Sequence, residues 1–129
     1  MKFNELELNA LMEYCISLAQ KSPSGIRKPY VGAMIIDDHG KIVGREYKNF
    51  LDSGSGFIQH AERVALDDAA GLAEGATLVT TLEPCVRPDN KTVFKPCSEL
   101  IIERGIRRVI LGLRDDSPTV KIMLALIIY

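Results

Sequence analysis

The residues of this chain that are best suited to metal chemistry are His60, Glu62, Cys85 and Cys97. An imidazole and two thiolates are ligands that zinc prefers, and a catalytic zinc site has three protein ligands with a fourth position open for water. Zinc lowers the pKa of such a water to about 7, and a neighbouring carboxylate can then move its proton. The set predicts a zinc centre in which His60, Cys85 and Cys97 bind the metal and Glu62 transfers protons.

Each predicted ligand lies where a strand and a helix meet. His60 opens a predicted helix, Cys85 follows a predicted strand, and Cys97 opens a further helix. In an α/β sheet, sites form beyond the carboxyl ends of the strands, which is where such junctions fall. The dipole of a helix N-terminus also favours a thiolate, which assists metal binding by Cys97.

Local patterns predict the elements of the first half of the chain. Apolar residues repeat at intervals of three and four over about residues 5–20, which predicts an amphipathic helix. Asn4 and Glu7 fit a variant of the capping box at its start. Two apolar runs about the Asp-His-Gly turn at residues 38–40 predict a β-hairpin.

The second half adds a helix over about residues 60–70, which we expect to end at Gly71, because glycine is common at that position. Then follow a strand at "ATLVTTL", a short helix at "CSELIIERG" and a strand at "IRRVILGL". This order predicts a three-layer α-β-α domain of the α/β class. Its mixed sheet has an N-terminal antiparallel hairpin and parallel later strands. Residues 1–129 are expected to form one domain.

Composition excludes several classes of protein. A net charge of −1 and a pI of about 6.1 give no broad basic field, so nucleic acid is not an expected partner. The N-terminus has no basic-then-apolar leader, and no apolar run reaches the roughly 18 residues of a membrane span. Three cysteines at uneven spacing suit a reducing compartment, so a cytoplasmic location is expected.

The motifs around the predicted metal site resemble a known family. "HAE" followed by "TLEPC" matches the start of the His-x-Glu, Pro-Cys-x-x-Cys pattern of zinc nucleobase deaminases. Residues 86–96 separate the two cysteines here, and lengthening a loop costs only about 0.6 kcal/mol per doubling. With "KPYVGAMII" and "KTVFKPCSELIIERGIRRVILGLRDDSPTV", the chain over about residues 8–120 resembles the deaminase domain of the bifunctional riboflavin-biosynthesis deaminase/reductase.

The resemblance implies a cytidine-deaminase-like fold and a hydrolase that acts on C–N bonds of cyclic amidines. The substrate would be a diaminopyrimidinone ribosylamino phosphate, with water as the second reactant, and the assembly a homo-oligomer. His60, Cys85 and Cys97 take the family's zinc-ligand roles, and Glu62 takes the proton-transfer role. No reductase domain is expected within this sequence, so deamination alone is anticipated.

The chain departs from the family at positions that would contact substrate. Lys28 stands where the family usually has Asn, Val64 replaces another Asn, and Val86-Arg87 aligns with a usual Ser-His. Lys28, Arg87 and Lys91 are the candidate substrate-binding residues, since their charges suit a phosphorylated substrate. The departures keep open deamination of another base, nucleoside or nucleotide.

Two further alternatives come from other classes of protein: a structural zinc site on an interaction module, and an inactive relative that binds without catalysis. A closed zinc site needs a fourth protein ligand, and no other His or Cys is placed to supply it. An inactive relative could readily lose Glu62, which is present. A disulfide between Cys85 and Cys97 is the alternative to metal binding.

Outside the predicted site, ordinary structural roles are expected. Cys15 is expected in the core, His39 in an exposed turn, and Asp67-Asp68 on a solvated helix face. The apolar C-terminal segment "KIMLALIIY" is interpreted as a final helix, an added edge strand or a subunit contact. Its exposure on a monomer would favour association, so oligomerisation is expected.

Overall fold

The described part of the chain forms three α-helices and a mixed sheet. A computed structural model describes residues 3–23, 25–26, 30–50, 58–81, 97–113 and 121–123 of the chain. The α-helices are α1 (Glu5–Ala19), α2 (Ala61–Ala69) and α3 (Cys97–Glu103), and a 3-10 helix (Ala70–Ala73) follows α2. Among the residues described here, no helix has the length and apolar character that a bilayer crossing requires.

The main sheet has five strands in the order β2-β1-β5-β6-β7. The strands are β1 (Gly32–Ile36), β2 (Ile42–Tyr47), β5 (Thr77–Thr80), β6 (Arg108–Leu113) and β7 (Lys121–Met123), and β3 (Asn49–Phe50) pairs with β4 (Ile58–Gln59) in a small separate sheet. β1 pairs antiparallel with β2 and β5, while β5 and β6 are parallel. The predicted hairpin and the predicted parallel pair are confirmed.

β7 pairs antiparallel with β6 at the edge of the main sheet. Of the interpretations of the C-terminal segment, an added edge strand is confirmed for residues 121–123. Residues 124–129 lie outside the described part of the chain.

Helix α1 starts as its sequence predicts. The Asn4 side chain accepts a hydrogen bond from the Glu7 backbone N–H at 2.8 Å, and the Glu7 carboxylate accepts one from the Asn4 N–H at 3.2 Å. The capping box satisfies two of the backbone donors that a helix start leaves unpaired. The predicted helix bounds are confirmed to within one residue.

The sheet separates two apolar layers, which makes the domain the predicted three-layer sandwich. α1 covers one face, where the buried residues are Leu8, Met12, Cys15, Met34, Ile36, Val79 and Ile110. Cys15 is fully buried as expected, and burial raises the pKa of its thiol to about 12. α2 and α3 cover the opposite face, where Ala61, Ala65, Leu66, Leu100 and Ile101 pack on β1, β5 and β6.

The end of α2 differs from the prediction. Ala70, rather than Gly71, has a positive φ, at 50°, and the chain continues as a 3-10 helix. The left-handed region costs a residue with a Cβ roughly 1–2 kcal/mol, so glycine is the usual choice. Here the turn allows Ala73 to be fully buried in the same apolar layer as Ala69. Packing therefore places the C-cap at Ala70, one residue before the glycine.

Gly44 sets how closely α2 approaches the sheet. A Cβ at Gly44 on β2 would overlap the backbone carbonyl oxygen of Ala65 on α2. We expect Gly44→Ala to lower the free energy of unfolding by about 1–3 kcal/mol, as overpacking of a tight interior does. Denaturant titration measures the change.

The matched control is Gly71→Ala. No heavy atom lies within 4 Å of a Cβ at Gly71, and its φ is not positive. This variant is expected to change stability by less than about 0.5 kcal/mol. Equal stability of the Gly44 variant and the wild type would contradict the close packing of α2 on β2.

Candidate active site

His60 lies immediately before α2, at the N-cap position. Its backbone is extended, with φ −71° and ψ 150°, and its carbonyl oxygen accepts the hydrogen bond of the Val64 N–H at 3.1 Å. N-cap side chains usually accept a hydrogen bond from the first turn of the helix. The half-buried imidazole makes no such capping bond. His60 therefore contributes to the start of the helix with its backbone carbonyl group and not with a capping bond from its side chain.

Glu62 lies in the first turn of α2 and is buried, with 3% of its surface exposed. It is the one buried carboxylate among the residues that the structure describes. A carboxylate near a helix N-terminus is favoured by the helix dipole, but that effect requires no burial. An ionised group withdrawn from water is costly unless it is hydrogen-bonded. An acid that only stabilises the helix dipole could remain in water. The dipole alone therefore does not account for the burial of Glu62.

The hydroxyl of Thr80 donates a hydrogen bond to Glu62 Oε1 at 3.0 Å. Thr80 is fully buried and is the last residue of β5. The bond places the Glu62 carboxylate at the carboxyl end of β5, where the sequence predicts the site. Threonine is a common strand residue, so no local pattern singles out Thr80. The signal that could have identified Thr80 is a polar residue on a strand face that is otherwise apolar.

Cys97 is the first residue of α3, which packs against α2. α3 precedes β6, which runs parallel to β5. In such a β-α-β connection the helix begins near the carboxyl end of the first strand. The backbone of Cys97 thus begins a helix as predicted, in the layer that holds Glu62.

The remaining predicted site residues, Cys85, Lys28, Arg87 and Lys91, lie outside the described residues. Their predicted roles therefore stay predictions. Among the described residues, no group of three or more His, Cys, Asp or Glu side chains is arranged to hold a metal ion. That finding does not test the predicted ligand set, because the set includes Cys85, which lies outside the described residues.

The fold and the buried acid define a class of protein. The solved dCMP deaminase of the cyanophage S-TIM5 superposes with a TM-score of 0.67 at 23% identity, over 88% of this chain and 88% of its own. A cytidine deaminase from Burkholderia pseudomallei superposes with a TM-score of 0.57 at 22% identity and covers 90% of this chain and 91% of its own. The fold is that of the cytidine-deaminase-like proteins.

The chain belongs to the cytidine and deoxycytidylate deaminase family, whose zinc-binding region matches residues 6–113. The riboflavin biosynthesis protein RibD of Aquifex aeolicus is 39% identical over 108 residues, which cover 83% of this chain and 28% of that protein. A Thermotoga maritima structure is 37% identical with a TM-score of 0.61, over 86% of this chain and 30% of its own. Its protein is described as a diaminohydroxyphosphoribosylaminopyrimidine deaminase and 5-amino-6-(5-phosphoribosylamino)uracil reductase. The chain thus spans less than a third of the length of these relatives.

Proposed function

We propose that this chain is a zinc-dependent hydrolytic deaminase. Its substrate would be the diaminohydroxyphosphoribosylaminopyrimidine of riboflavin biosynthesis. The observation that carries the proposal is the buried Glu62 carboxylate, held at the carboxyl end of β5 two residues after His60. The name of the Thermotoga maritima relative, which is 37% identical, supports the substrate.

The donor set fits zinc by its chemistry. His60, Cys85 and Cys97 offer one imidazole and two thiolates, which is the Cys₂His set of some catalytic zinc sites. The imidazole of His60 does not cap α2, and Cys97 lies at a helix start; both observations support this assignment. Zinc in such a site polarises a water molecule and lowers its pKa to about 7.

Glu62 would move the protons of the reaction. It accepts a proton from the attacking water and delivers it to the departing amine. The water oxygen forms a bond to the ring carbon that bears the amino group. The C–N bond then breaks, and the nitrogen leaves as ammonia with the bonding electron pair. The second proton of the water ends on the adjacent ring nitrogen, so that a carbonyl group remains. A buried carboxylate suits this work because few other waters compete for its protons.

The cationic residues predicted to contact the substrate would bind its phosphate group. Lys28, Arg87 and Lys91 are the proposed contacts, and at Lys28 and Arg87 the chain departs from its family. A substrate with a phosphate group favours cationic side chains at the mouth of a site. Deamination of another base, nucleoside or nucleotide is the second candidate, because the family also includes cytidine and deoxycytidylate deaminases.

We further propose a homo-oligomer in the cytoplasm. The apolar C-terminal segment "KIMLALIIY" supports association, since an apolar run exposed on a monomer would favour it. A reducing compartment keeps the proposed thiol ligands available for zinc.

Ammonia release from a panel of substrates tests the proposal. The panel comprises the riboflavin-pathway pyrimidine, cytosine, cytidine, deoxycytidylate, guanine and adenine, each with zinc-loaded protein. We expect the highest kcat/KM with the riboflavin-pathway pyrimidine. A higher value with any other member would assign that substrate instead, and inactivity with all of them would contradict the proposed reaction.

Reversing the charges of Lys28 and Arg87 is expected to weaken substrate binding. In Lys28→Glu with Arg87→Glu, KM should rise by about 10-fold or more, since charge-assisted contacts are worth about 1.5–3 kcal/mol each. kcat should change little, because neither side chain is proposed to move a proton. Steady-state kinetics separates the two constants.

The matched control reverses two exposed cations, in Lys41→Glu with Arg107→Glu. This variant changes the net charge by the same amount. Lys41 lies in the β1–β2 hairpin, and Arg107 immediately precedes β6. Its KM is expected to equal that of the wild type. An unchanged KM in the Lys28 and Arg87 variant would remove both residues from the phosphate site.

A further inference from the structure

The face of the sheet that meets α2 is apolar around Thr80. In the register of the sheet, Thr80 is paired with Ala33 on β1 and with Leu111 on β6. Both neighbours are buried members of the apolar layer beneath α2 and α3. A threonine hydroxyl in such a layer requires a hydrogen-bonding partner. Its partner across the layer is Glu62 Oε1 at 3.0 Å.

The donor is held rigidly. β5 lies between β1 and β6, so its backbone is hydrogen-bonded on both sides. The side chain of threonine is branched at Cβ, which restricts rotation about χ1. Glu62, by contrast, has three rotatable side-chain bonds. The Thr80 hydroxyl therefore provides a fixed point for one oxygen of the Glu62 carboxylate.

We propose that Thr80 is a positioning residue, whose hydroxyl fixes the orientation of the Glu62 carboxylate for proton transfer. This rests on the proposed function, in which Glu62 carries the protons of the deamination. A carboxylate has about four lone-pair sites, so the bond from Thr80 leaves acceptor capacity for the reaction. Fixing the acid in a reactive geometry lowers the barrier because no reorganisation is then needed.

Two substitutions separate the hydroxyl from the shape of the side chain. Thr80→Val keeps the shape and removes the hydroxyl, and Thr80→Ser keeps the hydroxyl and removes a methyl group. We expect Thr80→Val to lower kcat by about 10- to 100-fold with KM unchanged, as small misplacements of catalytic groups do. Thr80→Ser is expected to retain most of kcat. If Thr80→Val fails to fold, Thr80→Ala compared with Thr80→Ser makes the same distinction.

Thr77→Val is the matched control. Thr77 is buried on the same strand, and its hydroxyl accepts hydrogen bonds from Arg108 at 3.0 and 3.1 Å. It lies at the opposite end of β5 from Thr80. The loss of this buried hydroxyl should leave kcat at the wild-type value.

A second readout follows from the proposed route of action. If Thr80 acts through Glu62, adding Thr80→Val to Glu62→Gln should not lower the residual kcat further, because the effects of coupled residues are not additive. Three results would overturn the proposal: wild-type kcat in Thr80→Val, equal losses in Thr80→Val and Thr80→Ser, or fully additive losses in the double variant. Each of these leaves the wild-type activity, and so the proposed function, intact. An inactive wild type would contradict the function and this role together.

Discussion

Glu62→Gln is expected to lower kcat by about 10²- to 10⁴-fold, the range that general acid–base catalysis contributes. Glutamine has nearly the same shape, and its amide oxygen can still accept the hydrogen bond that Thr80 now donates to Oε1. What it cannot do is take up a proton and return it. Steady-state ammonia release measures the change, and elemental analysis of the same samples should show an unchanged zinc content.

Asp67→Asn provides the control for this variant. Asp67 lies on the same helix, and its carboxylate forms an exposed ion pair with Arg104 at 2.9 Å. Exposed ion pairs contribute at most about 1 kcal/mol to stability, so the variant should fold and keep its kcat. If Glu62→Gln had the same kcat as Asp67→Asn, Glu62 would not be the proton-transfer residue.

Removing a thiol ligand is expected to remove the metal. Cys97→Ser and Cys85→Ser should each lower zinc affinity by at least about 100-fold, since losing even an outer partner of a ligand costs 10–100-fold. A serine hydroxyl does not supply the thiolate that zinc prefers. Zinc content measured after dialysis should fall from one ion per chain, and ammonia release should fall with it.

The third cysteine serves as the control. Cys15 is fully buried on α1, on the face of the sheet opposite to α2 and Glu62. Cys15→Ala removes a thiol without touching the proposed metal site, so zinc content should stay at one ion per chain. Zinc retained at that level by Cys85→Ser and Cys97→Ser would contradict the ligand assignment.

Elements with strong local signals could be predicted from the sequence. The capping box of Asn4 and Glu7 fixes the start of α1 because both partners lie within one turn. The hairpin turn is equally local, since the Asp37 side chain accepts hydrogen bonds from the backbone N–H groups of His39 and Lys41. Gly40 completes that turn with a φ of 82°. His39 is exposed there, as expected.

Elements decided by packing could not be predicted in the same way. The last turn of α2 is set by the burial of Ala73, so the positive φ falls on Ala70 instead of Gly71. β3 and β4 have only two residues each, which is too short for a periodic pattern. β7 can be recognised as a strand only from its pairing with β6.

The candidate site likewise has one part that the sequence predicts and one part that only the fold shows. The residue types and their order were sufficient to single out Glu62, because a His-x-Glu before a Pro-Cys is a chemical pattern. Its bond to Thr80 depends on β5, and the two residues are 18 apart in sequence. No local pattern encodes that contact. The sequence therefore predicts which acid would transfer protons, while the fold shows how that acid is held.

Tracing the source of the new oxygen atom in the product tests the proposed deamination most directly. Zinc-loaded protein is incubated with the riboflavin-pathway pyrimidine in oxygen-18-labelled water, and the product is analysed by mass spectrometry. The account predicts that ammonia is released and that the new carbonyl group of the product carries the label, in amounts equal to the ammonia. Unchanged substrate from protein that holds one zinc ion per chain would contradict it.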